Sequence, residues 1–255
     1  MIDWAAVTLF LYILARMSGF VLFNPLLSRS NLPVLYRIGI ILVFSVFVGG
    51  TVSQTVQVPV GIIDLGVRMM LELGVGFLLG MVVNFFFYVP QLAGNMIDTQ
   101  MGMTMSQIYD AGSQSNLSVT GVLLNTLMTL LFFAGNGHHT MIRLFLTSGQ
   151  IVPYGAASLN TPVLNAMLEL FVECTLLGVK LCLPILSASL IAQIGMGILM
   201  KVIPQINVFS INIELKVIIG LGMLLVLIAP FSEFLLRAEV SMLNSLGTIL
   251  SLTGS

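Results

Sequence analysis

Long apolar runs, cut by proline, glycine and short polar pairs, are the feature that most limits how this chain can fold. They occupy residues 4–23, 32–52, 62–89, 118–134, 140–148, 164–200, 211–229 and 234–252. Several reach the ~20 residues that a helix needs to cross a bilayer. Only 7% of the 255 residues are Asp, Glu, Lys or Arg, against about 25% in an ordinary soluble domain. So few charges cannot coat a water-facing surface of this size, and the apolar surface must meet lipid, partner subunits or both. The expected fold is therefore all-α, a single polytopic membrane domain over residues 1–255, with kinked helices and broken hairpins.

The breaks carry turn chemistry: Asn24-Pro25, Gln57-Val58-Pro59, Val89-Pro90, Gly135-Asn136-Gly137, Pro153-Tyr154-Gly155 and Ile203-Pro204. Two runs exceed what a simple bundle requires. Residues 164–200 would form a helix of roughly 55 Å, and residues 62–89 one of about 42 Å, against a hydrocarbon core of ~30 Å. Pro184 is expected to kink the former. The run 140–148 is too short to span and reads as half of a broken hairpin. No basic stretch precedes the first run, so a retained first helix is expected, with Asp3 as its N-cap.

Charges inside these runs are costly in lipid. Arg16 lies mid-run; Arg68 and Glu72, four apart, are a natural intrahelical salt bridge; Glu169, Glu173 and Lys180 form a polar stripe on one face. Two readings follow. These residues pair internally or at a subunit interface, or they mark an ion or proton pathway. Gly76 and Gly80 are spaced to let another helix approach closely. Basic residues such as Arg29, Arg37, Lys201 and Lys216 are spread too thinly to fix an orientation.

Other classes lack residues to support them. A net charge of −1 provides no footprint for nucleic acid. Cys174 and Cys182, eight apart on one helix, would lie roughly 12 Å from each other, too far for a disulfide. No nucleophile elbow, phosphate loop or paired-carboxylate site is visible, which argues against an enzyme. No cofactor is implied. The histidines of Gly137-His138-His139 invite a metal, but adjacent side chains diverge and no further ligand lies at normal spacing, so a polar helix start is the expected role.

The segment 101–116 stands apart. Met101, Met103 and Met105 open it, and a polar stretch with Ser106, Gln107, Tyr109, Asp110, Gly112 and Asn116 follows. Methionine is soft and unbranched and seals against variable surfaces; Gly112 and the Ser and Asn content favour a pliable loop. An ordinary surface loop with core methionines is the competing reading. A second polar break, Pro204-Gln205-Ile206-Asn207-Val208-Phe209, lies between Lys201 and Lys216.

Together the 101–116 segment, Gly137-His138-His139 and Pro204-Gln205-Ile206-Asn207-Val208-Phe209 followed by Lys216 resemble the FliR/SctT family of type III secretion export-gate subunits. The resemblance covers nearly the whole chain. The family carries a proline after the aspartate of the first segment, where this chain has Ala111. What the resemblance implies is one copy of this chain assembled with FliP and FliQ into a helical pore, completed by FlhA and FlhB. That gate passes unfolded flagellar proteins across the bacterial inner membrane at the flagellar basal body, with part of the assembly raised toward the periplasm. Residues 106–116 would plug the pore and the three methionines would seal it. Arg68, Glu72, Glu169, Glu173 and Lys180 would serve assembly. The alternatives are the equivalent virulence subunit, or a stand-alone secondary transporter or channel.

Overall fold

A computed structural model describes residues 4–27, 33–52, 54, 56, 59, 61–103, 118–202 and 208–254, with the side chains of 208–213 excepted. Asp3, Arg29, Gln57, Val58 and Pro204 lie outside the described residues, as do Met105, Ser106, Gln107, Tyr109, Asp110, Gly112, Asn116, Gln205 and Asn207. The described residues form helices α1 (Trp4–Phe23), α2 (Val34–Thr51), α3 (Ile62–Met101), α4 (Val119–Ala134), α5 (Gly137–Ile151), α6 (Thr161–Val202), α7 (Val208–Val226) and α8 (Ile228–Thr253). Four of them, α1, α2, α3 and α6, are long and apolar enough to cross a membrane. The count rises to six if each of two bent pairs, α4 with α5 and Glu214–Val226 with α8, is one span. Each expected apolar run thus appears as a helix, and the run 140–148 is indeed part of a broken pair.

Local chemistry explains where the helices stop. Asn24 ends α1 through an Asx turn, its side-chain oxygen accepting the Leu26 N–H at 2.9 Å. Ser118 caps α4 by accepting the Gly121 N–H at 2.8 Å. Asn136, with φ of 59°, makes the left-handed step from which α5 starts. The 63° bend between α7 and α8 falls at Leu227, where Pro230 has no N–H for the carbonyl four residues back. Pro230 is instead accommodated in the first turn of α8.

Pro90 departs from expectation. It reads as a break, yet α3 runs through it to Met101. The proline removes one hydrogen bond, whereas opening the turn would strand further polar groups among Phe86, Phe87 and Val89, where no water replaces them. Pro184 is likewise carried within α6.

The chain divides into two compact units, residues 1–86, 136–172 and 239–255 in the first, 87–135 and 173–238 in the second. In the first, α1 and α3 lie against each other through Gly19, Gly76 and Gly80. A Cβ on Gly19 would land on the Leu73 carbonyl oxygen, and one on Gly76 on the Arg16 carbonyl oxygen. The spacing of Gly76 and Gly80 therefore serves the close approach expected of it. Phe20 stacks on Phe145 of α5, with ring centroids 3.3 Å apart. By contrast α2 buries only Ile41, Ser45 and Val48, a narrow stripe at helical spacing, and leaves Leu35, Val43 and Phe47 exposed.

In the second unit α3 and α4 cross where Gly94 meets Gly121, and a Cβ on Gly94 would fall on the Gly121 backbone. Phe87 and Phe132 pack edge to face at 5.7 Å. Gly178 accepts Leu92 from α3. Cys174 and Cys182 are free and buried, as small core residues.

Gly76→Val should force α1 and α3 apart, because its side chain meets backbone that cannot rotate away. Thermal unfolding in detergent should show a loss of at least the ~1–3 kcal/mol typical of overpacking. Gly39→Ala, with nothing within 4 Å of its Cβ, should not lower the melting temperature, since alanine is favoured over glycine in a helix interior.

Candidate functional site

The strongest electrostatic arrangement lies in the first unit, around a charge in α1. Arg16 is fully buried, and its Nε donates to Glu72 Oε2 at 2.6 Å, both side chains at 0% exposure. Its Nη1 donates to the Val152 carbonyl at 3.1 Å and to Ser148 Oγ at 3.4 Å. The guanidinium also lies 4.3 Å from the centroid of the Tyr154 ring, within cation–π range. Burial pushes the Tyr154 phenol above its ordinary pKa, and the Arg16 charge opposes that rise.

Arg68 and Glu72 do not pair with each other, which corrects the salt bridge expected from their spacing. Arg68 Nε donates instead to Asp64 Oδ1 at 3.0 Å, one turn back along α3. Between the two charges comes the backbone of Gly155. Its N–H donates to Glu72 Oε1 at 2.7 Å, and its carbonyl accepts from Arg68 Nη1 at 3.2 Å. Gly155 has φ of +84°, so a side chain there would be strained, and its Cβ would press on the Tyr12 ring. The turn Pro153-Tyr154-Gly155 is thus held by three charged side chains. Gln54 adds to the hold, donating to the Gly149 carbonyl at 2.6 Å and accepting the Tyr154 N–H at 3.3 Å.

The second arrangement flanks residues 104–117. Gly102, with φ of 80°, ends α3 in a Schellman motif: the Gly102 N–H donates to the Thr99 carbonyl at 3.1 Å and the Met103 N–H to the Asp98 carbonyl at 3.0 Å. The Asp98 side chain is 1% exposed. Its Oδ2 accepts from Ser118 Oγ at 2.6 Å and from the Thr120 N–H at 3.2 Å, at the first turn of α4. Asp98 Oδ1 is buried, with no hydrogen-bond partner among the described residues. Met101 is fully buried with its thioether against Gly220 of α7. It packs inside the chain, as the competing reading of core methionines expects; Met103 is half-exposed.

The remaining sequence candidates are dispersed. His138 and His139 stand in the first turn of α5 with ring centroids 4.2 Å apart, after the Gly135-Asn136 turn. Phe209 lies in the first turn of α7 and Lys216 is half-buried further along it. Glu169, Glu173 and Lys180 are exposed along α6, in a region whose exposed neighbours are Leu168, Phe171, Val172 and Leu176.

Sequence reasoning passed over Asp98. The available signal was an aspartate near the end of an apolar helix, followed by a serine able to start the next one.

The family described as "Bacterial export proteins, family 1" matches residues 7–240 of the chain. The flagellar biosynthetic protein FliR of Escherichia coli (strain K12) is 28% identical over 210 residues, covering 81% of this chain and 79% of the relative. FliR of Bacillus subtilis (strain 168) is 25% identical over 215 residues, 82% of this chain and 81% of that protein. The Yop proteins translocation protein T of Yersinia pestis is 27% identical over 197 residues, 75% of each chain.

Arg16→Met or Glu72→Leu alone should destabilise the fold by about 3–5 kcal/mol, because each strands a buried charge. The double variant should recover much of that loss. Thermal unfolding of the three proteins in one detergent checks it: a double variant as unstable as the sum of the singles would contradict the pairing.

Proposed function

The chain belongs to the bacterial export proteins, family 1, and on that premise we propose that it is the R-type subunit of a flagellar type III export gate. The observation that carries this reading is the family match from residue 7 to residue 240. Flagellar relatives aligned over about four fifths of both chains add to it. In this reading one copy of the chain assembles with FliP and FliQ in the bacterial inner membrane, and FlhA and FlhB complete the gate. The pore passes unfolded flagellar proteins, and part of the assembly projects toward the periplasm.

The physics of the subunit supports an assembled role. The outward face of α2 is apolar, and the exposed charges Glu169, Glu173 and Lys180 sit among exposed apolar residues of α6. Charges so placed are costly against lipid and favourable against a partner that offers hydrogen bonds and opposite charge. Residues 106–116 act as the plug of the pore, with Met103 and Met105 beside it as soft packing. Gly137, His138, His139, Pro204, Gln205, Asn207, Phe209 and Lys216 are family marks to which no transport step is assigned.

A second reading, the equivalent subunit of a virulence secretion system, is favoured by the similarity to the Yersinia protein. Complementation separates the two. Restored motility in a strain lacking its flagellar R subunit supports the flagellar assignment; restored secretion only in a virulence system overturns it.

Native mass spectrometry of the chain, alone and then co-expressed with its P-type and Q-type neighbours, should yield one heteromeric species carrying a single copy. A stable particle of this chain alone, unchanged by the neighbours, would favour a stand-alone transporter. Removal of residues 106–116 should raise the ion conductance of the assembled complex in planar bilayers severalfold, and unchanged conductance would sink the plug.

A further inference from the structure

Asp98 terminates one helix and starts another. Its backbone carbonyl takes the Met103 N–H that closes the end of α3. Its carboxylate takes the Ser118 hydroxyl and the Thr120 N–H that open α4. An aspartate at a helix N-terminus is held by free N–H groups and by the helix dipole. Here, however, the aspartate comes from another helix, twenty residues before the serine it binds. Ser118 is committed twice, donating to Asp98 and accepting from Gly121. The glycine pair Gly94 and Gly121 removes the side chains that would otherwise keep the carboxylate from the α4 terminus. At 1% exposure, the carboxylate has no water to replace a lost partner.

From this geometry we infer that Asp98 is a positioning residue, a clasp that fixes the point where the chain leaves α3, at 103, against the point where it enters α4, at 118. Both flanks of the segment between them are thereby tied to a single side chain. The link from this clasp to ion tightness rests on the plug reading of residues 106–116 given above; the clasp itself does not.

The role is positional, and Asn in place of Asp98 tests that. An asparagine carbonyl can accept from Ser118 Oγ and from the Thr120 N–H, while its NH2 occupies the place of Oδ1. Neutral hydrogen bonds are about half as strong as charge-assisted ones, so Asp98→Asn keeps the clasp in weaker form. Asp98→Ala removes it. A proton or ion pathway through this carboxylate would predict the opposite pattern, with Asp98→Asn as defective as Asp98→Ala.

The experiment uses the gate complex assembled with its neighbours, in detergent for hydrogen–deuterium exchange of the peptide covering 119–122 and in planar bilayers for conductance. Asp98→Ala should accelerate exchange of that peptide at least tenfold and raise conductance at unchanged assembly yield. Asp98→Asn should stay within about threefold of the wild type in both. Exchange unaltered in Asp98→Ala, or equally fast in Asp98→Asn, overturns the clasp. Faster exchange with unchanged conductance leaves the clasp standing and overturns its link to the plug. Should Asp98→Ala not assemble, the near-isosteric Asp98→Leu carries the test, since it leaves the Ser118 cap on the Gly121 N–H in place: faster exchange over 119–122 supports the clasp, and no change overturns it.

Discussion

A guanidinium and a carboxylate 2.6 Å apart, neither reached by solvent, fix the first unit of this protein. Arg16 belongs to α1 and Glu72 to α3, and the pair needs the two helices at close range. Gly19 and Gly76 provide that range by having no side chains where backbones meet. Charge and glycine therefore play different parts: the glycines set the distance, and the ion pair sets the register. A shift of α1 by one residue would turn Arg16 by about 100° away from its acceptor and leave two unpaired charges in an apolar interior. Such a pair adds little stability over a well-packed apolar one, but it excludes alternative alignments of otherwise greasy helices.

How far this arrangement was readable depends on the range of the interaction. Hydrophobic runs located each of the described helices, since a run is a local property. Helix ends were less legible, because hydrophobicity fades before helicity does. Residues after Val89 include Gln91, Asn95, Asp98, Thr99 and Gln100, yet α3 persists until the Schellman turn at Gly102. The pairing of Arg68 with Glu72 failed for a related reason. Spacing within one helix could not reveal that Gly155, a residue 83 positions from Glu72, puts its peptide groups between them. Met101 followed the same pattern: its softness was visible, whereas its cavity, made by Gly220, was not. Asp98 was missed because its meaning lies in a serine on another helix.

The charged residues sort into two groups. Arg16, Glu72 and Asp98 are buried and bonded within the chain; they define the subunit. Glu169, Glu173 and Lys180 are exposed along α6. A chain with only 7% charged residues has thus placed some of them in its interior and left others exposed among apolar side chains. The outer face of α2 is apolar as well, and the helix buries three residues in its own chain.

The buried pair also bears on how the protein reaches its membrane. Arg16 precedes Glu72 by 56 residues, so a growing chain presents the cation to lipid before its counter-ion has been made. An arginine at mid-bilayer costs at least ~2.5–3.5 kcal/mol on an insertion scale, which is a large handicap for a lone first helix. Until α3 arrives, α1 is better placed beside the insertion machinery or at the lipid headgroups than in its final position. The order of synthesis thus delays docking of α1 until α3 has been made, so the first helix does not settle before the third.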